Sequence, residues 1–247
     1  MIDFLQLFSS NSANDEYNKH LWVKGASLFI PQLNNLLGHT DYKFNIIDIE
    51  EFNNDSELLG TVLSKHGSDK STSHNYHILY SYIFNQLGKD NSLNVLEIGL
   101  GTNNPALLST MGVNGRPGAS LYAFREYLPN ANIYGGDIDK DILFEYDRIK
   151  TFWVDQLELK SFEMITQSVG DVKFDLIIDD GLHSIGANFN TLLFALNHIN
   201  EKGWIVIEDI HLIENWRVID FILASTNKFK TYVLHSKAAN MYVVHKM

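Results

Sequence analysis

The sequence predicts an α/β fold: a doubly wound, mostly parallel, Rossmann-like sheet of seven strands, with a C-terminal antiparallel hairpin and an N-terminal irregular or helical cover. Three observations predict it. From about residue 63 onward, short apolar runs alternate with helix-like stretches, the pattern of strands joined by crossover helices. One of those runs, NVLEI at 94–98, leads into Gly99 and Gly101, the kind of turn that lets backbone approach a ligand closely. The last two runs, Phe229–His235 and 240–245, follow one another across a short turn with no helix between them, which makes them a hairpin on one edge.

Taken in order, residues 1–62 are rich in Asn and Leu and carry too little apolar pattern for a core of their own. They are expected to form a cover or an oligomer contact, ahead of a main domain at 63–247. Within them, 41–52 (DYKFNIIDIEEF) fits either a short strand or a helix. Gly67-Ser68-Asp69-Lys70 reads as a loop, and the Ser and Thr residues after it are suited to cap a helix over 74–87. That stretch carries Tyr76, His77, Tyr80, Tyr82 and Phe84, and two readings stand: a helix packed on the sheet with its loop exposed, or a pocket mouth bearing Lys70 and a His–Tyr cluster.

After NVLEI, the dinucleotide fingerprint would require a third glycine at 104, where Asn stands. Glu97, two residues before the first glycine, would repel a pyrophosphate and suits a ligand with a cationic or donor group. A helix over 117–127 follows, then a strand over 132–136 that ends in Asp137, placed to accept hydrogen bonds from ribose hydroxyls; Asp139 reads equally as a helix cap. A strand over 149–154 ends at Asp155-Gln156, where an adenine amine would be read. After another helix comes KFDLIIDDGLHS at 173–184, an apolar strand that stops at Asp179-Asp180-Gly181 with His183 beyond. A helix near 189–199, a strand over 204–207 ending in Glu208-Asp209, and a helix over 216–225 lead to the hairpin.

The chain has 247 residues, 45% of them apolar, a net charge of -11 and no cysteine. An acidic surface repels polyphosphate and anionic lipid, so neither nucleic acid nor a membrane is an expected partner. Without cysteine, disulfides and thiolate metal sites are excluded. The first twenty residues lack a basic stretch followed by a long apolar core, and no apolar run approaches the roughly 20 residues of a membrane helix. A cytoplasmic homo-oligomer is the expectation.

Asp179-Asp180 and Glu208-Asp209 each end a strand. If the strands are neighbours, these ends lie about 5 Å apart, and carboxylates so close repel or take up protons unless a cation sits among them. All-oxygen ligands favour Mg²⁺, with Mn²⁺ the alternative.

Together the strand-E-I-G-x-G turn, the acid after the next strand and the terminal hairpin resemble the class I S-adenosylmethionine-dependent methyltransferases. GSDK at 67–70, GRPGASL at 115–121, GGDID at 135–139, IDDGLH at 178–183 and IEDIH at 207–211 resemble a narrower group over about residues 63–215. These are the metal-dependent sugar O-methyltransferases, among them the mycinamicin and demethylmacrocin enzymes. The resemblance implies that Asp180, Glu208 and Asp209 bind the metal, that His183 is the catalytic base beside Asp180, and that Glu97, Gly99, Gly101, Ser120, Asp137, Asp155 and Gln156 contact S-adenosyl-L-methionine. It places Lys70 near the methionine end or the substrate. It implies methyl transfer to a sugar hydroxyl. Because the macrolide enzymes carry a longer region ahead of the match, a small acceptor is expected, a nucleotide sugar or a precursor in polysaccharide or natural-product synthesis. The alternatives are a metal-independent methyltransferase and a silent S-adenosylmethionine-binding protein.

Overall fold

Along every central strand, alternate side chains divide between two apolar faces, and the helices follow from that division. The computed structural model describes Gly25, residues 29–53 and residues 55–247. Among them lie nine strands: β1 Ile46–Asp48, β2 Asn94–Ile98, β3 Asn132–Asp137, β4 Glu145–Tyr146, β5 Ile149–Trp153, β6 Phe174–Asp179, β7 Ile199–Ile210, β8 Phe229–His235 and β9 Asn240–Lys246. They form one sheet in the order β1-β8-β9-β7-β6-β2-β3-β5-β4. Pairings at its centre are parallel, and β9 runs antiparallel to both β7 and β8.

Val95, Ile133, Leu176, Ile178 and Val206 face one side, where they pack with helices α1 Glu57–His66, α2 His77–Leu87 and α3 Ala119–Tyr127. Leu96, Ile98, Ile177, Ile205 and Ile207 face the other, against α4 Glu163–Val169, α5 Ile185–His198 and α6 Arg217–Ala224. No helix among the described residues is long and apolar enough to cross a membrane.

Two edge strands raise the expected seven to nine. β1 comes from the ambiguous 41–52 stretch, which divides into this strand, parallel to β8, and a single 3-10 turn at Ile49–Phe52. β4 is two exposed residues antiparallel to β5, too short to leave a hydrophobic pattern. The expected boundary at 62/63 falls inside α1, whose Leu59, Val62 and Leu63 belong to the same core as β2. Residues 1–24, which hold much of the expected cover and the N-terminal stretch without a leader pattern, lie outside the described residues. Residues 29–37 are helical, and side-chain bonds tie the segment that follows to α6. Tyr42 donates to Asp220 (2.5 Å), Arg217 donates to the Tyr42 carbonyl (2.8 Å), and Tyr242 donates to the other Asp220 oxygen (2.9 Å).

The register positions the site. Glu97 pairs across with Ile178, and Ile178 with Val206, so these three share a face. Two residues further along, Asp180 and Glu208 rise on that same face, because strand side chains alternate with period two. Asp179, opposite Ile207, points the other way. Asp209 would follow it, but the β7 register shifts between Ile207 and Ile210 and Asp209 takes a left-handed φ of 54°. A bulge re-aims a side chain, and this one turns Asp209 back toward α2.

Beyond β2 the chain passes directly under the loop after β6. Gly99 has φ 94°, and a Cβ there would lie 2.1 Å from the Asp180 carbonyl oxygen. Gly99→Ala is therefore expected to cost roughly 2–4 kcal/mol of stability, through φ strain and separation of the two loops. Urea denaturation measures this, and an unchanged midpoint would mean the loops do not touch.

Candidate active site

The site begins with the way α1 ends. Gly67, at φ 82°, closes the helix by bonding back to Leu63 and Ser64, and the Ser68 side chain caps a single 3-10 turn over Asp69–Ser71. That turn aims Lys70 beneath the edge of the sheet, where the side chain is 2% exposed. Its ammonium lies 2.6 Å from Asp180 Oδ2, 2.6 Å from Glu208 Oε2 and 3.1 Å from Glu97 Oε1. It donates to the first two and pairs with the third by charge. Burial opposes the charge on Lys70, but Asp180, Glu208 and Glu97 outweigh it and hold its pKa well above the usual value. Burial pushes the Glu208 carboxyl up, and Lys70 only partly offsets this. Glu97 is raised for the same reason, while Ser120 donates to its second oxygen.

Two tyrosines one helical turn apart complete the support. Tyr80 donates to Glu208 Oε1 and Tyr76 to Asp209 Oδ1. Burial, together with these acids, raises both phenols far above their ordinary pKa, so both remain donors at neutral pH. Gly67 and Asp69 of the loop are exposed, as one reading had it, but Lys70 is buried and lines the cavity, and the two tyrosines back its acids.

Asp180, His183 and Asp209 each present a ligand atom within 4.8 Å of the others. His183 Nε2 lies 3.9 Å from Asp209 Oδ2, and His74 Nδ1 lies 3.8 Å from Asp209 Oδ1. His183 also has a left-handed φ, 53°. Two strained residues in one cluster are typical of sites where geometry is held against local preference. Two carboxylates and an imidazole, partly open to solvent, fit a hard or borderline divalent ion. Glu208 stands apart from this group, its two oxygens taken by Lys70 and Tyr80.

All the remaining sequence-predicted residues line one cavity of about 360 Å³ over the carboxyl ends of β2, β3, β5 and β6: Lys70, Glu97, Gly99, Gly101, Ser120, Asp137, Asp155, Gln156, Asp180, His183 and Asp209. Asp137 already accepts from the amides of Leu100 (2.7 Å) and Asp139 (2.8 Å). Asp139 caps the next 3-10 turn and accepts from Thr102. Asp155 accepts from the amide of Leu157 at 2.9 Å. Gln156 is held by structural bonds. Its amide group donates to Asp179 (2.8 Å) and Thr191 (2.9 Å) and accepts from Leu182 N–H (2.7 Å). It thus pins the loop that carries Asp180 and His183. Asp179 is fully buried and also accepts from Asn188. The sequence left the roles of His74, Tyr76 and Tyr80 undecided; the four-residue spacing of Tyr76 and Tyr80 was the available signal.

A mostly parallel sheet of this order, with an antiparallel C-terminal hairpin and a cleft at the ends of β2 and β3, is the Rossmann-like methyltransferase fold. Within it the homologues are sugar O-methyltransferases. The 8-demethyl-8-alpha-L-rhamnosyl tetracenomycin-C 2'-O-methyltransferase of Streptomyces olivaceus is 32% identical over 155 residues, 62% of this chain and 37% of that protein. The mycinamicin VI 2''-O-methyltransferase of Micromonospora griseorubida is 39% identical over 95 residues, 38% of this chain and 23% of that protein. The chain thus spans well under half the length of these relatives. The MycE methyltransferase of the mycinamycin pathway, solved with Mg and SAH, matches with a TM-score of 0.60 and 25% identity over 76% of this chain and 54% of that one. No family model matches.

The two tyrosines make a graded prediction. Tyr80→Phe strips a donor from a carboxyl that is 1% exposed, whereas Tyr76→Phe does so at one that is 21% exposed. Losing a hydrogen bond to a buried charged group costs on the order of 1–3 kcal/mol. Denaturant titration should place Tyr80→Phe at the upper end and Tyr76→Phe below it; the reverse order would contradict the assigned partners.

Proposed function

We propose that the protein is a divalent-metal-dependent O-methyltransferase that moves the methyl of S-adenosylmethionine to a sugar hydroxyl. The observation that carries the proposal is that Asp180, His183 and Asp209 open onto the same cavity as the Gly99–Gly101 turn, so donor and acceptor chemistry share one chamber. Bound there, the cofactor supplies an electrophilic methyl, and a Mg²⁺ or Mn²⁺ ion supplies Lewis-acid polarisation of the sugar oxygen.

The chain's residues do the rest. Asp180 and Asp209, with Glu208 held ready by Lys70 and Tyr80, are the carboxylates assigned to the ion. His183, kept out of the ligand set, accepts the proton of the attacking hydroxyl, a role in which imidazole is the commonest side chain. Glu97 and Ser120 border the methionine end, Asp137 has lone pairs left for ribose hydroxyls, and Asp155, with Gln156 behind it, borders the adenine end. Gly99 and Gly101 let the backbone close against the cofactor, and holding the oxygen in line with the methyl removes much of the barrier.

The acceptor is assigned as a sugar carried on a small molecule. The rhamnosyl and mycinamicin homologues support a glycosylated natural product, and nucleotide sugars and polysaccharide precursors are the further forms to screen by mass spectrometry. A second reading has Lys70 alone neutralise the acids without a divalent ion; it is favoured by the ammonium that already bridges Asp180 and Glu208.

Chelation decides between these readings. Excess EDTA should abolish methyl transfer and Mg²⁺ or Mn²⁺ should restore it; full activity in EDTA would select the metal-independent reading. Asp180→Asn should abolish turnover while calorimetry still detects S-adenosylmethionine binding. His183→Ala should lower kcat by roughly 10²–10⁴-fold. A twofold loss would reassign the base. No turnover on any sugar, with cofactor binding intact, would mark a silent binding protein.

A further inference from the structure

Lys70 is more than a buried cation in a cofactor cleft. Its ammonium donates to Asp180 and Glu208 and pairs with Glu97 at 3.1 Å, so it is enclosed by acids of the chain. Asp180 has a double membership: it accepts from Lys70 and also belongs to the Asp180–His183–Asp209 group suited to a divalent ion. One ammonium faces three carboxyl groups, with Asp209 adjoining, so the cluster holds more acids than Lys70 can pair. A divalent ion held by that group would share the Asp180 carboxylate with Lys70 across a few ångströms, where like charges weaken each other's binding.

We propose that Lys70 is a built-in counter-cation of the metal site: it holds Asp180 and Glu208 in place before a divalent ion arrives, and its charge sets how tightly that ion binds. This rests on the metal-dependent reading above. Lys70 is a positioning residue. Without its charge, the carboxylates that it now neutralises turn to the incoming ion, and Glu208 is released to act as a further ligand. The metal-free protein loses a cation from a buried acidic cluster and is weakened, whereas the metal-loaded protein has the loss made good.

The test is titration calorimetry with Mn²⁺ on the full chain, paired with thermal melts with and without Mn²⁺. Lys70→Met should melt lower than wild type without metal, bind Mn²⁺ roughly tenfold or more tightly, and gain more in melting temperature from saturating Mn²⁺. Lys70→Arg, which keeps the charge, should bind Mn²⁺ as wild type does. Unchanged or weaker Mn²⁺ binding by Lys70→Met would overturn the proposal. If Lys70→Met is unfolded without metal, recovery of the native fold on adding Mn²⁺ supports the proposal and failure to recover overturns it. Mn²⁺ binding by Lys70→Met but not by wild type would support the counter-cation while overturning the metal-dependent reading of the natural chain. Binding by neither overturns both.

Discussion

The structure depends on one electrostatic constraint: three adjacent parallel strands raise Glu97, Asp180 and Glu208 on the same face of the sheet, at an edge that is largely closed to water. Strands β6 and β7 stand about 5 Å apart, and the period of two gives their terminal acids no other direction to point. Carboxylates in that arrangement must find donors or take up protons. The GSDK loop delivers an ammonium, α2 and the residue before it deliver two phenols one turn apart, and α3 delivers the Ser120 hydroxyl. The loop between α1 and α2 is therefore part of the floor of the site, and the helix ahead of it is part of the domain core.

A second constraint acts on the rim. Asp209 and His183 both hold left-handed φ angles, each costing of order 1–3 kcal/mol. The strain at Asp209 follows from the position of β7 between a parallel neighbour, β6, and an antiparallel one, β9. Where its pairing with β9 slips, a residue that alternation would send toward α6 is turned back toward His74, Tyr76 and His183. The terminal hairpin thus does more than cover an edge, since its register against β7 fixes one wall of the acidic cluster.

Much of the architecture was legible in the residues. Alternating apolar runs identified the seven longer strands, and NVLEIGLG located the cleft. Glu97 in place of a phosphate-tolerant residue argued against a dinucleotide. Two acid pairs at strand ends announced a cation site, and the strands do lie side by side. The edge strands were harder: β4 is two residues long and β1 three, below the length at which periodicity registers. The 67–80 stretch left two readings because a buried Lys and an exposed one look alike in sequence, and only the carboxylates across the sheet distinguish them. Gln156 lines the cavity as expected, but its three partners, Asp179, Leu182 and Thr191, come from a different part of the chain and left no local sign.

By itself, then, the sequence determined the fold class, the position of the cleft and the set of acidic residues at its edge, because hydrophobic period and turn chemistry are local properties. Only the tertiary structure decided how those acids divide. The pairing register sends Asp179 to one face and Asp180 to the other. A bulge returns Asp209 to the site, and the ammonium of a residue 138 positions away takes Glu208. Register, bulge and long-range charge pairing are set by contacts between segments distant in sequence, and no local pattern encodes them.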